Sequence, residues 1–354
     1  MNNHNSLLHV FCIHSTITAG MARAIIAYEH LQPENVIILS GRGQLFESHL
    51  ASQIIDLDNH YINQIRITPG RRFWRSRLNI KLFDQQLRQI LQEQYFHVYI
   101  PHVYSQALQL LITHPDCTGF SYIEEGLASY RTPEDLDKHP QKWAVYSPSQ
   151  SRIIDRLNTL DRLANGSFYR EGCISAYGLN KATFKNFNMP TVVVPFPWTV
   201  NAQLKHKYDN SSILVLDCIS ADFVVSKEEY WTALLYVLQI LYHSNFERIF
   251  VRFNPMQSSD EQQFLSELML QNLGDRLQFC DRNEELEAIC ASAQVSIITL
   301  NSSIGIYAYI MQRPVYTFAS ILSEISAEYA KSYAEILSGL SIELPMRDIR
   351  ELKS

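Results

Sequence analysis

Short apolar runs alternate with longer stretches of helical period from end to end of this 354-residue chain. Neighbouring strand residues face opposite ways, so a run that is apolar on both faces belongs to a sheet covered on both sides. The alternation predicts an α/β protein of parallel strands joined by helical crossovers. In the first half, strands are expected at Leu7–Ile13, Val36–Leu39, Ile54–Asp56, Val98–Val103 and Gly119–Ile123. Helices are expected near Thr18–Glu29, Asn79–Gln94 and Tyr104–Thr113. Two later apolar pieces, Cys173–Ala176 and Thr191–Val194, would complete that sheet.

The texture then changes. Pro190, Pro195 and Pro197 lie close together, and the polar stretch Asn201–Ser212 shows no periodic apolar face, which reads as a linker. Beyond it the alternation restarts, with strands at Ile213–Asp217, Arg248–Phe253, Leu277–Phe279, Val295–Thr299 and Pro314–Phe318. The helices between them are expected at Lys227–His243, Ser259–Asn272, Glu284–Ala291 and Ser302–Met311. Two doubly wound, Rossmann-like domains follow, residues 1–195 and 196–354, with the ends of their strands facing a cleft where such sheets bind ligands. A last helix is expected from about Ser320 to Ser338.

Composition narrows the function. A hydrophobic share of 46% allows a large core, and a net charge of −6 argues against a nucleic-acid partner. Six scattered cysteines without a CxxC pair fit reduced thiols, and a polar start at Met1–Ser6 lacks the basic region of a signal peptide. No apolar run approaches the roughly 20 residues of a membrane-spanning helix. The expectation is a cytoplasmic protein with at most peripheral contact at the inner membrane.

Candidate chemistry sits at strand ends. Glu124-Glu125-Gly126 leaves the strand Gly119–Ile123, so alternation would hold one glutamate in the protein and aim the other at the ligand. An aimed carboxylate can take the proton of an attacking hydroxyl; a solvated acidic turn is the plainer reading. Asn301-Ser302-Ser303 opens a helix after Val295–Thr299. There Ser302 or Asn301 would cap the helix, or hydroxyls, backbone N–H groups and the helix dipole would together hold a phosphate. Arg252-Phe253-Asn254-Pro255 ends another strand, Arg252 offering a cation to a phosphate and Asn254 a hydrogen bond to a leaving group. After the first strand, His14 and Ser15 could line the cleft, or Ser15, Thr16 or Thr18 could cap the next helix.

Along the chain no histidine pair or histidine–carboxylate cluster has zinc or iron spacing, so no catalytic metal is expected. There is no GxGxxG, P-loop or GxSxG. The basic run Arg71, Arg72, Arg75, Arg77 and Lys81, with Phe73 and Trp74 inside it, could grip an anionic acceptor or lipid surface, or be a solvated loop and helix start.

Taken in order, Glu-Glu-Gly, then a strand end with X-Pro, then Ser-Ser resembles the bacterial sialyltransferase and polysialyltransferase families. That resemblance implies a GT-B fold, in which the last helix would pack back across both domains, and an inverting, metal-independent transfer of sialic acid from CMP-sialic acid to a surface glycan such as lipooligosaccharide or capsule. It would make Glu125 the general base, Glu124 its support and Gly126 the turn residue, with Ser302 and Ser303 on the CMP phosphate. Asn254-Pro255 stands where the family has His-Pro, and an amide cannot act as an acid. His114-Pro115 and His139-Pro140 fall in the first half, the wrong domain for that motif. The departure keeps two alternatives open: a GT-B transferase with a different activated donor, and a non-catalytic nucleotide-binding homologue.

Overall fold

The computed structural model describes residues 7–58, 73–133, 168–217, 225–300, 302–331 and 346–353, together with positions 60, 62, 136, 162–163 and 340; of residues 73–76 it describes the backbone alone. The chain divides into two compact units, Met1–Pro197 and Trp198–Ser354. Each is a parallel α/β sheet.

The first unit has seven strands: β1 (Leu8–Ile13), β2 (Val36–Ser40), β3 (Gln53–Asp56), β4 (Phe96–Ile100), β5 (Cys117–Ile123), β6 (Ser175–Gly178) and β7 (Thr191–Val193). Their order is β3-β2-β1-β4-β5-β6-β7, with every adjacent pair parallel. Helices α1 (Thr16–Tyr28), α2 (Phe73–Ile90) and α3 (Gln106–Ile112) lie along this part of the chain. The strand order reverses between β1 and β4, which makes their carboxyl ends the switch point where sheets of this kind take ligands. Leu8, Val10 and Cys12 of β1 join Phe96, Val98 and Ile100 of β4 in one apolar face, as the two-residue period requires.

The second unit begins with a difference from the pattern reading. Ala202–Tyr208, expected as linker, forms a helix (α4). Asn201 caps it by accepting from the N–H groups of Gln203 and Leu204 at 2.9 and 3.1 Å, and Tyr208 is the residue it buries. One buried anchor and one cap leave no periodic apolar stripe to read.

Six strands follow: β8 (Ser211–Val215), β9 (Ile249–Arg252), β10 (Leu277–Phe279), β11 (Val295–Thr299), β12 (Val315–Thr317) and β13 (Arg347–Asp348). The order is β10-β9-β8-β11-β12-β13, again parallel throughout, with the switch point between β8 and β11. Helices α5 (Lys227–Tyr242), α6 (Ser259–Leu273), α7 (Leu286–Ser292), α8 (Ile304–Ile310) and α9 (Ala319–Ile325) accompany them. The two-residue β13 carries too little pattern to be foreseen. The expected last helix is broken rather than continuous: α9 ends at Ile325, residues 327–331 are helical again, and residues 332–338 lie outside those described. Among the described residues no helix is long and apolar enough to cross a membrane. Cys12, Cys117, Cys173, Cys280 and Cys290 are free thiols.

Candidate functional site

Four of the first sheet's strands end in residues that could do chemistry. His14 is the first residue past β1, while Arg42, His102 and Glu125 are each the second past β2, β4 and β5. Their positions follow from where each strand stops. Pro101 has no N–H to continue the ladder, so β4 ends at Ile100 and His102 falls into the loop. The strand expected at Val98–Val103 would place His102 in its interior; the observed strand stops at Ile100.

The two glutamates after β5 have opposite fates. Glu124 is fully buried and held on three sides. Its carboxylate accepts from Tyr130 Oη at 2.6 Å, the Leu179 N–H at 2.7 Å and Thr183 Oγ1 at 3.0 Å, and its own N–H reaches Tyr177 O at 2.9 Å. Such a carboxylate is a clamp between β5, the turn after it and the loop after β6. Gly126 follows with φ +114°, a backbone that side chains disfavour, which turns the chain sharply at this point. Ser129 Oγ accepts the Glu125 N–H at 3.1 Å and fixes the turn.

Glu125 points to other partners. Its side chain is 10% exposed, and Oε2 lies 3.7 Å from His14 Nε2 and 3.8 Å from His102 Nε2. Among the described residues no hydrogen bond closes on this carboxyl group. Burial pushes it up to about 8, partly offset by the Arg42 cation. Burial likewise pushes His14 down to about 4, with Arg42 adding to the effect. His102 falls to about 3, from burial first and then His14 and Arg42. At neutral pH the three groups are thus mostly uncharged, and the carboxyl group is a strong base once ionised. The imidazoles lie 5.7 Å apart between ring centroids, and Phe168 packs edge-on against His102 at 5.3 Å. Burial beside Glu125 also raises the Tyr169 phenol well above its ordinary value. Tyr169 further lines a cavity of about 450 Å³ with Leu136, Phe168, Phe187 and Met189.

Nδ1 of His102 accepts the backbone N–H of Tyr104 at 3.3 Å, which assigns the proton of the neutral ring to Nε2. His14 is held through its backbone. Its N–H and that of Ser15 reach Thr18 Oγ1 at 2.9 and 3.0 Å, and Ser15 caps α1 in a reciprocal box with Thr18. Ser15 accordingly has the capping role. Gly41-Arg42-Gly43 packs beside His14, Arg42 taking φ +56° and Gly43 donating to Asp58 Oδ2 at 2.8 Å. The Arg42 guanidinium is exposed and makes no hydrogen bond or ion pair among the described residues.

His14, His102 and Glu125 each offer one ligand atom, all within 4.8 Å of one another, so the trio has the composition of a metal site. The three come from positions 14, 102 and 125 and meet only through the β1-β4-β5 neighbourhood, which explains why no local spacing announced them.

The strand ends of the second unit look different. Arg252 gives one terminal nitrogen to Asp281 O and the other to Arg282 O at 3.1 Å, tying the ends of β9 and β10 together. Asn254 holds its own turn before Pro255, Oδ1 accepting the Met256 N–H at 3.0 Å and its N–H reaching Gln257 Oε1 at 2.9 Å. At the β11–α8 junction Asn301 lies outside the described residues. The capping role expected of Ser302 falls positionally to Ser303, but its backbone is already helical (φ −57°, ψ −23°) and its side chain makes no cap bond. An extended backbone is what lets a capping hydroxyl reach back. The Ser302 N–H goes to Thr299 Oγ1 at 3.2 Å, and among the described residues both serine hydroxyls lack hydrogen bonds.

Of the other histidine–proline pairs, His114 is buried, its Nε2 3.8 Å from Asp84 Oδ1 and its Nδ1 3.8 Å from Asp116 Oδ2, in a network with Arg162 that links α2 to α3. His139-Pro140 lies outside the described residues, as do Arg71 and Arg72 and the side chains of Phe73, Trp74 and Arg75.

No family model and no curated protein matches this sequence. Solved structures do. HepE of Anabaena, in complex with UDP and glucose, is 10% identical over 98% of this chain and 97% of its own, with a TM-score of 0.45. The UDP-GlcNAc 2-epimerase of Methanocaldococcus jannaschii, in complex with UDP-GlcNAc and UDP, is 11% identical over 98% of each chain, with a TM-score of 0.49. A UDP-glucosyltransferase from Polygonum tinctorium is 13% identical over 98% and 93%, with a TM-score of 0.47. The likeness is in the course of the chain.

Proposed function

We propose that this chain is an inverting glycosyltransferase of the GT-B type, moving a sugar from a nucleotide-activated donor to a hydroxyl with Glu125 as the general base. The observation that carries the reading is Glu125 itself. It sits past the end of β5 beside the switch point, largely enclosed, raised to about 8 and committed to no hydrogen bond among the described residues. In the step it serves, the acceptor oxygen bonds to the anomeric carbon and the carbon–oxygen bond to the donor phosphate breaks. The electron pair leaves with the phosphate, and the acceptor proton passes to Glu125. Ser302 and Ser303, whose hydroxyls are unbonded among the described residues, are assigned to the donor phosphate.

The donor is proposed as a nucleotide-activated sugar other than CMP-sialic acid. Asn254, which stands where that family has a histidine, is occupied as a turn residue. We place the acceptor among glycans or glycolipids of the cell surface, such as lipooligosaccharide or capsule, met from the cytoplasmic side. The reaction needs no metal in this scheme, because proton transfer and phosphate binding are both assigned to side chains.

Thermal shift with a panel of UDP-, GDP-, CDP- and CMP-compounds, without added metal, tests the proposal. One nucleotide class is expected to raise the melting temperature and to support sugar transfer. Stabilisation by CMP-sialic acid alone would restore the sialyltransferase assignment. Failure of every compound would remove the transferase.

A further inference from the structure

Two imidazoles approach one carboxylate oxygen from different strand ends, and this geometry admits two readings. His14, His102 and Glu125 either hold a metal ion or manage a proton. The hydrogen bond behind His102 discriminates between them. A histidine that binds metal through Nε2 ordinarily carries its proton on Nδ1 and donates it to an acceptor. Here Nδ1 of His102 instead accepts the Tyr104 N–H at 3.3 Å, a donor fixed by the backbone next to Val103, whose own N–H bonds Phe168 O at 3.0 Å. With Nδ1 as acceptor, the lone pair a metal would need is on the wrong nitrogen, and the ring hydrogen is on Nε2, 3.8 Å from Glu125 Oε2.

We propose that His102 is a positioning residue for Glu125, its Nε2–H held toward Oε2 by the Tyr104 backbone, so that the trio is a proton site rather than a metal site. The proposal rests on Glu125 being the base. At 3.8 Å the two atoms stand beyond hydrogen-bonding distance while the carboxyl group is protonated. Once Glu125 ionises, the Nε2–H becomes a charge-assisted donor, and contacts of this sort tighten when the working state forms. Every charged or titratable group facing Glu125 among the described residues enters the balance: His14 from β1, Arg42 from β2, His102 from β4 and the Tyr169 phenol from the 168–170 segment. Arg42 favours the carboxylate through charge. His102 favours it through one directed donor on the oxygen that His14 also faces.

The first measurement needs no substitution and no substrate. Long-range ¹⁵N–¹H spectra of the intact protein, with His102 assigned from the signal lost in His102→Gln, report the tautomer. The expected result is an Nε2–H tautomer from pH 8 down to about 4, unmoved by equimolar Zn²⁺ or Mn²⁺. An Nδ1–H tautomer, or stoichiometric metal shifts that disappear in Glu125→Gln, would overturn the proposal in favour of a metal centre. The second measurement is the pH profile of turnover with whichever donor the panel identifies. His102→Leu, which removes the donor, is expected to raise the apparent pKa by about one unit and to lower turnover at pH 7 about tenfold, while His102→Gln, which keeps an N–H near Nε2, restores most of both. Equal profiles for Leu, Gln and the parent would end the positioning role while leaving Glu125 as base. Full turnover by Glu125→Gln would end the base assignment itself.

Discussion

At the carboxyl edge of the first sheet the side chains of Glu125, His14 and His102 face one another with no hydrogen bond among them, whereas at the edge of the second most polar side chains are bonded within the fold. Glu125, His14 and His102 converge without a hydrogen bond joining them, in surroundings that strip their charge. Arg252 and Asn254, by contrast, are tied to carbonyls and to a turn, while the hydroxyls of Ser302 and Ser303 are unbonded among the described residues. An enclosed acid held without hydrogen bonds costs stability, and folds keep such costs where chemistry needs them. A bonded arginine at a strand end needs no such explanation. Under the proposed function, that contrast would give proton chemistry to the first edge and a binding role, built mainly from hydroxyls, to the second.

The comparison breaks most visibly at Glu125. Glu125→Gln is expected to lower turnover by about 100- to 10,000-fold while leaving the donor-induced rise in melting temperature intact, as measured by initial rates beside thermal shift. Its neighbour should behave in the opposite way. Glu124→Ala strips Tyr130, Leu179 and Thr183 of their shared acceptor, and a loss of about 3–5 kcal/mol in urea unfolding is expected. A Glu124→Ala protein of normal stability would mean that the clamp is not one.

The pH dependence of stability sharpens the same contrast. Because the folded Glu125 is raised from 4.5 to about 8, its contribution is complete below pH 4.5 and is lost as pH climbs toward 8. His14 and His102 are lowered, so theirs is complete above pH 6.5 and is lost on acidification toward 4. Glu125→Gln should therefore gain on the parent by an amount on the order of a few kcal/mol between pH 5 and 8.5. Parallel melting curves for the two proteins across that range would show that Glu125 is not raised.

The smallest effect is expected on the second edge. Ser302→Ala and Ser303→Ala should each weaken donor binding about tenfold while changing stability by less than about 0.5 kcal/mol, since neither side chain caps α8. A large loss of stability in either variant would instead assign that hydroxyl to the fold.

Much of this arrangement is written locally. The order of strands and helices follows from apolar runs and helical period, and the Glu-Glu-Gly turn was visible as adjacent acids at a strand end that must face opposite ways. Other features have no local signature. His102 becomes a partner of Glu125 only because Pro101 stops β4 early and the sheet sets β4 between β1 and β5. Helix α4 stands on one cap and one buried tyrosine, and Asn254 is a turn residue because Met256 and Gln257 fold back on it. Periodicity depends on residues a few places apart, so the chain declares its elements by itself. Which strand ends meet is settled by pairing across many tens of residues, and there the tertiary structure alone brought His14, His102 and Glu125 together.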